Sequence, residues 1–240
     1  MDDAITAPSK IGGITAGTTV GSLRDKSIID IIDIIVFPST VPTLRRPYAY
    51  YSISDKTIKV GTSLEPTLNF SPGDAGEQTS ETEVVTFNNV KVENFTGYNQ
   101  LGVYKHIGTI TYMEGDYLVD DRGNQTNQRI EAGSVNATLT ITTTYPWYIN
   151  SDEQALVPFN QSSGEISFNL SGTPVIKLPG AGSKIDSFLV DGGSGFLAVN
   201  LEGAWDMTEE DINGVPYKIW TKKTAYVDSL PHKINFTLLE

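Results

Sequence analysis

The chain has 240 residues, enough for two domains of about 100 residues or one large β domain. Abundant threonine, 22 glycines, 12 prolines and 10% aromatics favour many short strands joined by turns over a helical bundle. A formal net charge of −12 and a pI near 4.6 exclude a broad phosphate-binding surface, which needs clustered Lys and Arg, and the absence of cysteine removes disulfides, thiolate metal sites and thiol nucleophiles.

Residues 1–26 are a Gly/Thr/Ser-rich lead with Gly13, Gly17 and Gly21 at intervals of four. Without a periodic apolar face it is expected to be an extended arm that orders only against a partner. The opening MDDAITAPSK is acidic and has no apolar stretch of signal-peptide length, and no run approaches the roughly 20 residues of a membrane span. The expectation is a protein made in the cytoplasm, with neither nucleic acid nor membrane as partner.

A short helix follows at SIIDIIDIIVFP. Ser27 and Asp30 have capping-box spacing, and Pro38 disfavours helix at Phe37. At 3.6 residues per turn, Ile28, Ile31, Ile32 and Ile35 share one face. Ile29 and Val36 flank it on one side and Ile34 on the other, leaving Lys26, Asp30 and Asp33 as a narrow polar strip. The apolar arc is wider than the stripe of about 100° with which a helix lies on one surface. Two covers are open: the end of the chain's own first β domain, or another copy of the chain. Ile28, Ile29, Ile31, Ile32, Ile34, Ile35 and Phe37 are therefore the candidate oligomer or attachment interface.

After a proline-rich linker the period changes to two. Strands are expected at Ala49–Ile53, Thr57–Val60, Leu68–Phe70, Val84–Phe95, Val103–Met113 and Val135–Ile141, with Asn88-Asn89 as a bulge or turn. A second β region runs from Pro146 to the end, with strands around Ile166–Leu170, Ile185–Val190, Phe196–Leu201, Tyr217–Trp220 and Ile234–Leu238. Met207–Ile212 reads as a helical turn capped by Thr208. The fold class is thus mainly β: an N-terminal arm and helix (1–46), then two antiparallel β-sandwich domains of immunoglobulin-like size (47–145 and 146–240).

Motifs for chemistry come up short. His106 and His232 have no metal spacing and read as strand or loop histidines. Gly192-Gly193-Ser194-Gly195 lacks the nucleophile-elbow order, and no Walker-type loop is present. Asp116, Asp120, Asp121 and Asn124 fail the EF-hand order and read as a solvated hairpin tip, although calcium there stays open. Trp147, Trp205 and Trp220 concentrate in the second β region; they read as core, and if exposed they are the candidate glycan contacts. The expectation is no enzyme, no cofactor and no metal.

The segment GGITAGTTVGSLRDKSIIDIIDIIVFPSTVPT resembles the N-terminal module of virion structural proteins of tailed bacteriophages infecting gut Bacteroidetes, the crAss-like phages among them. The features are Leu23, Lys26, Ser27, Ile28 to Val36, Phe37, Pro38 and Pro42. TYPWYIN at 144–150 stands where such proteins often show a Tyr-Pro-aromatic-Tyr-Gly step, with asparagine in place of glycine, and Tyr217-Lys218-Ile219-Trp220 resembles a late strand of theirs. The resemblance implies a non-enzymatic virion component, a head or tail fibre or appendage subunit, assembled as a homo-oligomer with other capsid or tail proteins. The alternatives are a carbohydrate-binding module that contacts host-surface glycan and a glycan hydrolase with two converging carboxylates.

Overall fold

The structure is a computed structural model and describes residues 26–36 and 39–240. The expectations for the arm and for the stop at Phe37-Pro38 lie outside the described residues, as do the side chains of Ile34 and Ile35. Among the described residues the chain is mainly β, with several sheets and little helix.

Helix α1 spans Ile28–Val36. Its start is the capping box read from the sequence: Asp30 N donates to Ser27 Oγ at 3.1 Å, and Asp30 Oδ2 accepts from Ser27 N at 3.0 Å. The helix's first N–H groups and the acid of its first turn satisfy each other, so the start is fixed locally.

Seven strands follow: β1 (Tyr48–Tyr51), β2 (Lys56–Lys59), β3 (Leu68–Ser71), β4 (Gln78–Phe87), β5 (Val90–Lys91), β6 (Gly102–Tyr112) and β7 (Gly133–Thr144). β1 pairs with β3, and the other five form a sheet in the order β2-β7-β6-β4-β5, with β2 parallel to β7. β4 and β5 are joined by Asn88 and Asn89 at φ 46° and 68°, opposite the pair Phe87↔Val90. Two left-handed residues make a primed hairpin turn, whose twist matches that of the strands, and asparagine tolerates that conformation. The bulge or turn expected at Asn88-Asn89 is thus a two-residue turn.

The remaining strands are β8 (Tyr148–Ile149), β9 (Asp152–Glu153), β10 (Ile166–Gly172), β11 (Val175–Pro179), β12 (Lys184–Asp191) and β13 (Phe196–Ala198). After a four-residue helix α2 (Leu201–Ala204) come β14 (Trp205–Ile212), β15 (Val215–Lys222) and β16 (Tyr226–Thr237). They build one sheet ordered β10-β16-β12-β13 and another ordered β14-β15-β11-β8-β9. The two sheets share one core: Leu170, Phe188, Ile234 and Phe236 come from the first, and Ile149, Ile176, Leu178, Trp205 and Trp220 from the second. Trp147 completes it, fully buried against Phe236 at 4.7 Å between ring centroids.

The helical turn expected at Met207–Ile212 is corrected: those residues belong to β14. Asp206 to Asp211 are all exposed, so burial supplies no alternating pattern for the sequence to reveal. The eight-pair ladder from Trp205↔Lys222 to Ile212↔Val215 and the Asn213-Gly214 turn, at φ 56° and 81°, decide the conformation instead.

By contact density the described chain divides into two compact units. One holds the chain up to Ala49 with Phe70–Thr82 and Thr109–Asn136; the other holds Tyr50–Asn69, Glu83–Gly108 and Ala137–Glu240. In the first unit the linker is clasped by a turn: Arg45 N and Nε donate to the Asp74 carboxylate at 2.7 and 2.9 Å, while Asp74 N donates back to Arg45 O at 2.9 Å. Gly73 sits under this clasp at φ +59°, where a Cβ would collide with the Arg45 carbonyl oxygen.

Candidate functional site

The described side chains of α1 are turned to solvent. Ile28, Ile29, Ile32 and Val36 are 77%, 79%, 53% and 55% exposed, and Ile31 is half-buried. Asp30 is engaged with Ser27, whose hydrogen bonds hold its carboxyl below the usual carboxylate range. A nine-residue helix is shorter than the roughly 12–15 residues at which isolated helices become even marginally stable in water. β-branched isoleucine does not help, because it loses rotamer freedom in a helix. Such a segment needs packing on an apolar surface, and among its described side chains Ile28, Ile29, Ile32 and Val36 are exposed.

The three tryptophans named as glycan contacts if exposed are buried. Trp147, Trp205 and Trp220 are 0%, 3% and 8% exposed and belong to the core between the two sheets of the second unit. Sugar stacking needs an accessible ring face, and these faces are covered by neighbours such as Phe236 and Phe188.

The Asp116 to Asn124 segment is a hairpin tip closed by the bridge Val119↔Gln125. Asp120 Oδ1 accepts from Asn124 N at 2.7 Å and from Arg122 N at 3.0 Å, and these bonds hold its carboxyl below the usual range. Asp121 accepts from Thr40 N and Thr40 Oγ1. The Asp120 carboxylate is thus engaged within the turn and that of Asp121 with Thr40. Among the described residues no group of three or more His, Asp or Glu is arranged to hold a metal. Gly192 to Gly195 form the turn between β12 and β13, with Gly192 N donating to Gly195 O at 2.9 Å.

The two histidines are both buried in the second unit. His106, on β6, lies between Glu83 and Tyr98: Nδ1 is 3.1 Å from Glu83 Oε1, and Nε2 is 2.9 Å from the Tyr98 hydroxyl. A carboxylate only accepts, so Nδ1 carries a proton, and in the neutral imidazole Nε2 then accepts from Tyr98. Tyr51 donates to the same Glu83 oxygen at 2.7 Å, and Phe95 closes over the histidine edge-on at 5.3 Å. The sequence offered no signal for this network, because Tyr51, Glu83, Tyr98 and His106 come from four separate segments. His232 donates from Nδ1 to Leu230 O at 2.8 Å and is boxed by Phe168, Phe188 and Tyr226.

No protein-family model matches the chain, and no curated protein matches it.

Proposed function

We propose that this chain is a structural subunit of a bacteriophage virion, a head or tail fibre or appendage component that assembles as a homo-oligomer through α1. The observation that carries the reading is the exposed isoleucine face of a helix too short to stand alone. At roughly 25 cal/mol per Å², covering a few hundred Å² of that face contributes several kcal/mol per copy before association costs, and symmetry multiplies the contact. The resemblance of residues 12–43 to phage virion modules supplies the biological setting. Asn150, which takes the place of the glycine in the second matched step, has φ 56°, a conformation that suits glycine or asparagine.

In this reading residues 1–46 attach and oligomerise, and residues 47–145 and 146–240 form two immunoglobulin-like β-sandwich domains that project from the particle. The shared core of the second unit supports a sandwich for the C-terminal part. The chain acts by burying surface between copies and against other virion proteins, without catalysis. Cryo-microscopy of purified particles tests this: density for the chain at repeated positions on head or tail is expected, and particles lacking the chain would overturn it. The glycan-binding alternative loses its named aromatic contacts to the core.

A further inference from the structure

A cleft of about 880 Å³ opens within the first unit, lined by the linker, the end of β6, the start of β7 and the segment before β7. Val41, Pro42, Leu44, Tyr112, Ile130 and Val135 supply its apolar lining. Val41 and Pro42 are exposed and the other four half-buried, so apolar surface there stays open to water. Its linker wall is held at both ends: Thr40 N and Oγ1 donate to the Asp121 carboxylate at 3.1 and 2.8 Å, and Arg45 is clasped to Asp74. Of the lining's charged groups, Arg129 is already bound to Glu131 and to Glu114 at 2.9 Å each. Arg46 is exposed and makes no ion pair with the described residues.

Helix α1 has the matching features. Ile29, Ile32 and Val36 follow the spacing i, i+3, i+7 with which an amphipathic helix anchors in an apolar groove, and all three are more than half exposed. Lys26 against Asp30 and Asp33 leaves the segment one net negative charge, opposite in sign to Arg46. No described residue of α1 lines the cleft of its own chain. Three residues, Phe37 to Ser39, separate the helix from the Thr40 clasp, a reach of at most about 14 Å, and within that leash the cleft stays open and the stripe exposed. A second copy brings the same stripe without the leash.

We propose that α1 of one copy seats in this cleft of a second copy, with Ile29, Ile32 and Val36 against Leu44, Ile130 and Val135 and the helix's net charge toward Arg46. The inference rests on the reading that α1 mediates assembly, and it names the surface that the helix meets. The contact is heterologous, helix on one copy and cleft on the next, so it closes into a ring or continues as a chain of copies. Helix-on-helix pairing in a two-fold dimer would be isologous instead.

The chain has no cysteine, so introduced thiols report the contact directly. Full-length Ile32→Cys and Val135→Cys chains are mixed, oxidised and resolved by mass. A mixed disulfide between the two variants is expected, since the bond forms only where the two residues lie close together. A disulfide between two Ile32→Cys copies in its place would overturn the proposal in favour of helix-on-helix packing. The second measurement is light scattering of Ser134→Trp, which fills the cleft from an exposed position and leaves α1 intact. Loss of the oligomer with an unchanged melting temperature is expected; an oligomer of the natural mass would overturn the proposal. An oligomeric natural chain that forms no mixed disulfide would remove the cleft and leave assembly through α1 standing, whereas a monomeric natural chain would remove both.

Discussion

The Tyr98 hydroxyl is hydrogen-bonded to His106 Nε2 at 2.9 Å with both side chains almost wholly out of solvent, at 0% and 1% exposure. The bond fastens the segment before β6 onto the strand itself. Tyr98→Phe keeps the ring contacts with Phe95 and Tyr104 and leaves the buried His106 Nε2 unpaired. A loss of about 1–3 kcal/mol is expected in urea unfolding. An unchanged midpoint would mean that water replaces the bond.

Tyr98 also carries an alkaline signature. Burial, with the charge of Glu83 adding to it, pushes its hydroxyl up to about 12 from the ordinary 10.0. In the unfolded chain the phenol ionises near 10, so its contribution is intact below that pH and declines as pH rises toward 12. Tyr217, raised chiefly by burial and donating to Pro146 O at 2.8 Å, acts in the same direction. Phenolate absorbance followed against pH is expected to show these two tyrosines ionising only as the fold opens.

His232 has the opposite pH dependence. Burial lowers its pKa, with the Leu230 carbonyl opposing and Lys222 adding to the fall. The unfolded histidine takes up a proton near 6.5 while the folded one stays neutral, so stability is full above that pH and is lost as pH falls below it. Urea midpoints at pH 7.5 and 5 are expected to differ less in His232→Phe than in the natural chain. Equal differences would remove His232 as the cause.

Gly73→Ala tests the clasp in the first unit. A left-handed alanine costs about 1–3 kcal/mol on its own, and its methyl group would push into the Arg45 carbonyl. Faster amide exchange at Arg45 and Asp74 is expected, because their mutual N–H bonds open together. Arg45 holds the Asp74 carboxyl below the usual range, so the same opening is expected in acid.

The sequence was informative wherever one face of an element is buried. In β7, Ala137, Leu139 and Ile141 point inward and Asn136 and Thr138 outward, as the alternation implied. The helix start was legible because a capping box is local, and the β4–β5 turn because two adjacent asparagines tolerate positive φ. The first half of β4, QTSETE, escaped notice because it is exposed on both faces, and β14 was misread for the same reason. β8 and β9 are two-residue strands of a tight hairpin, too short for an alternation, and β8 is held by β11, a partner distant in the chain that no local pattern encodes. The tryptophans were recognised as core or surface candidates; only the two-sheet packing of the second unit places them inside.

The central claim is that the exposed isoleucine face of α1 is covered by another copy. Light scattering of the full chain, natural and Ile32→Asp, tests it most directly. Ile32 is 53% exposed in the single chain, so the charge should leave the fold of one subunit unharmed. An oligomer for the natural chain and a soluble monomer for Ile32→Asp are expected. The same mass for both, at equal solubility, would contradict assembly through this helix.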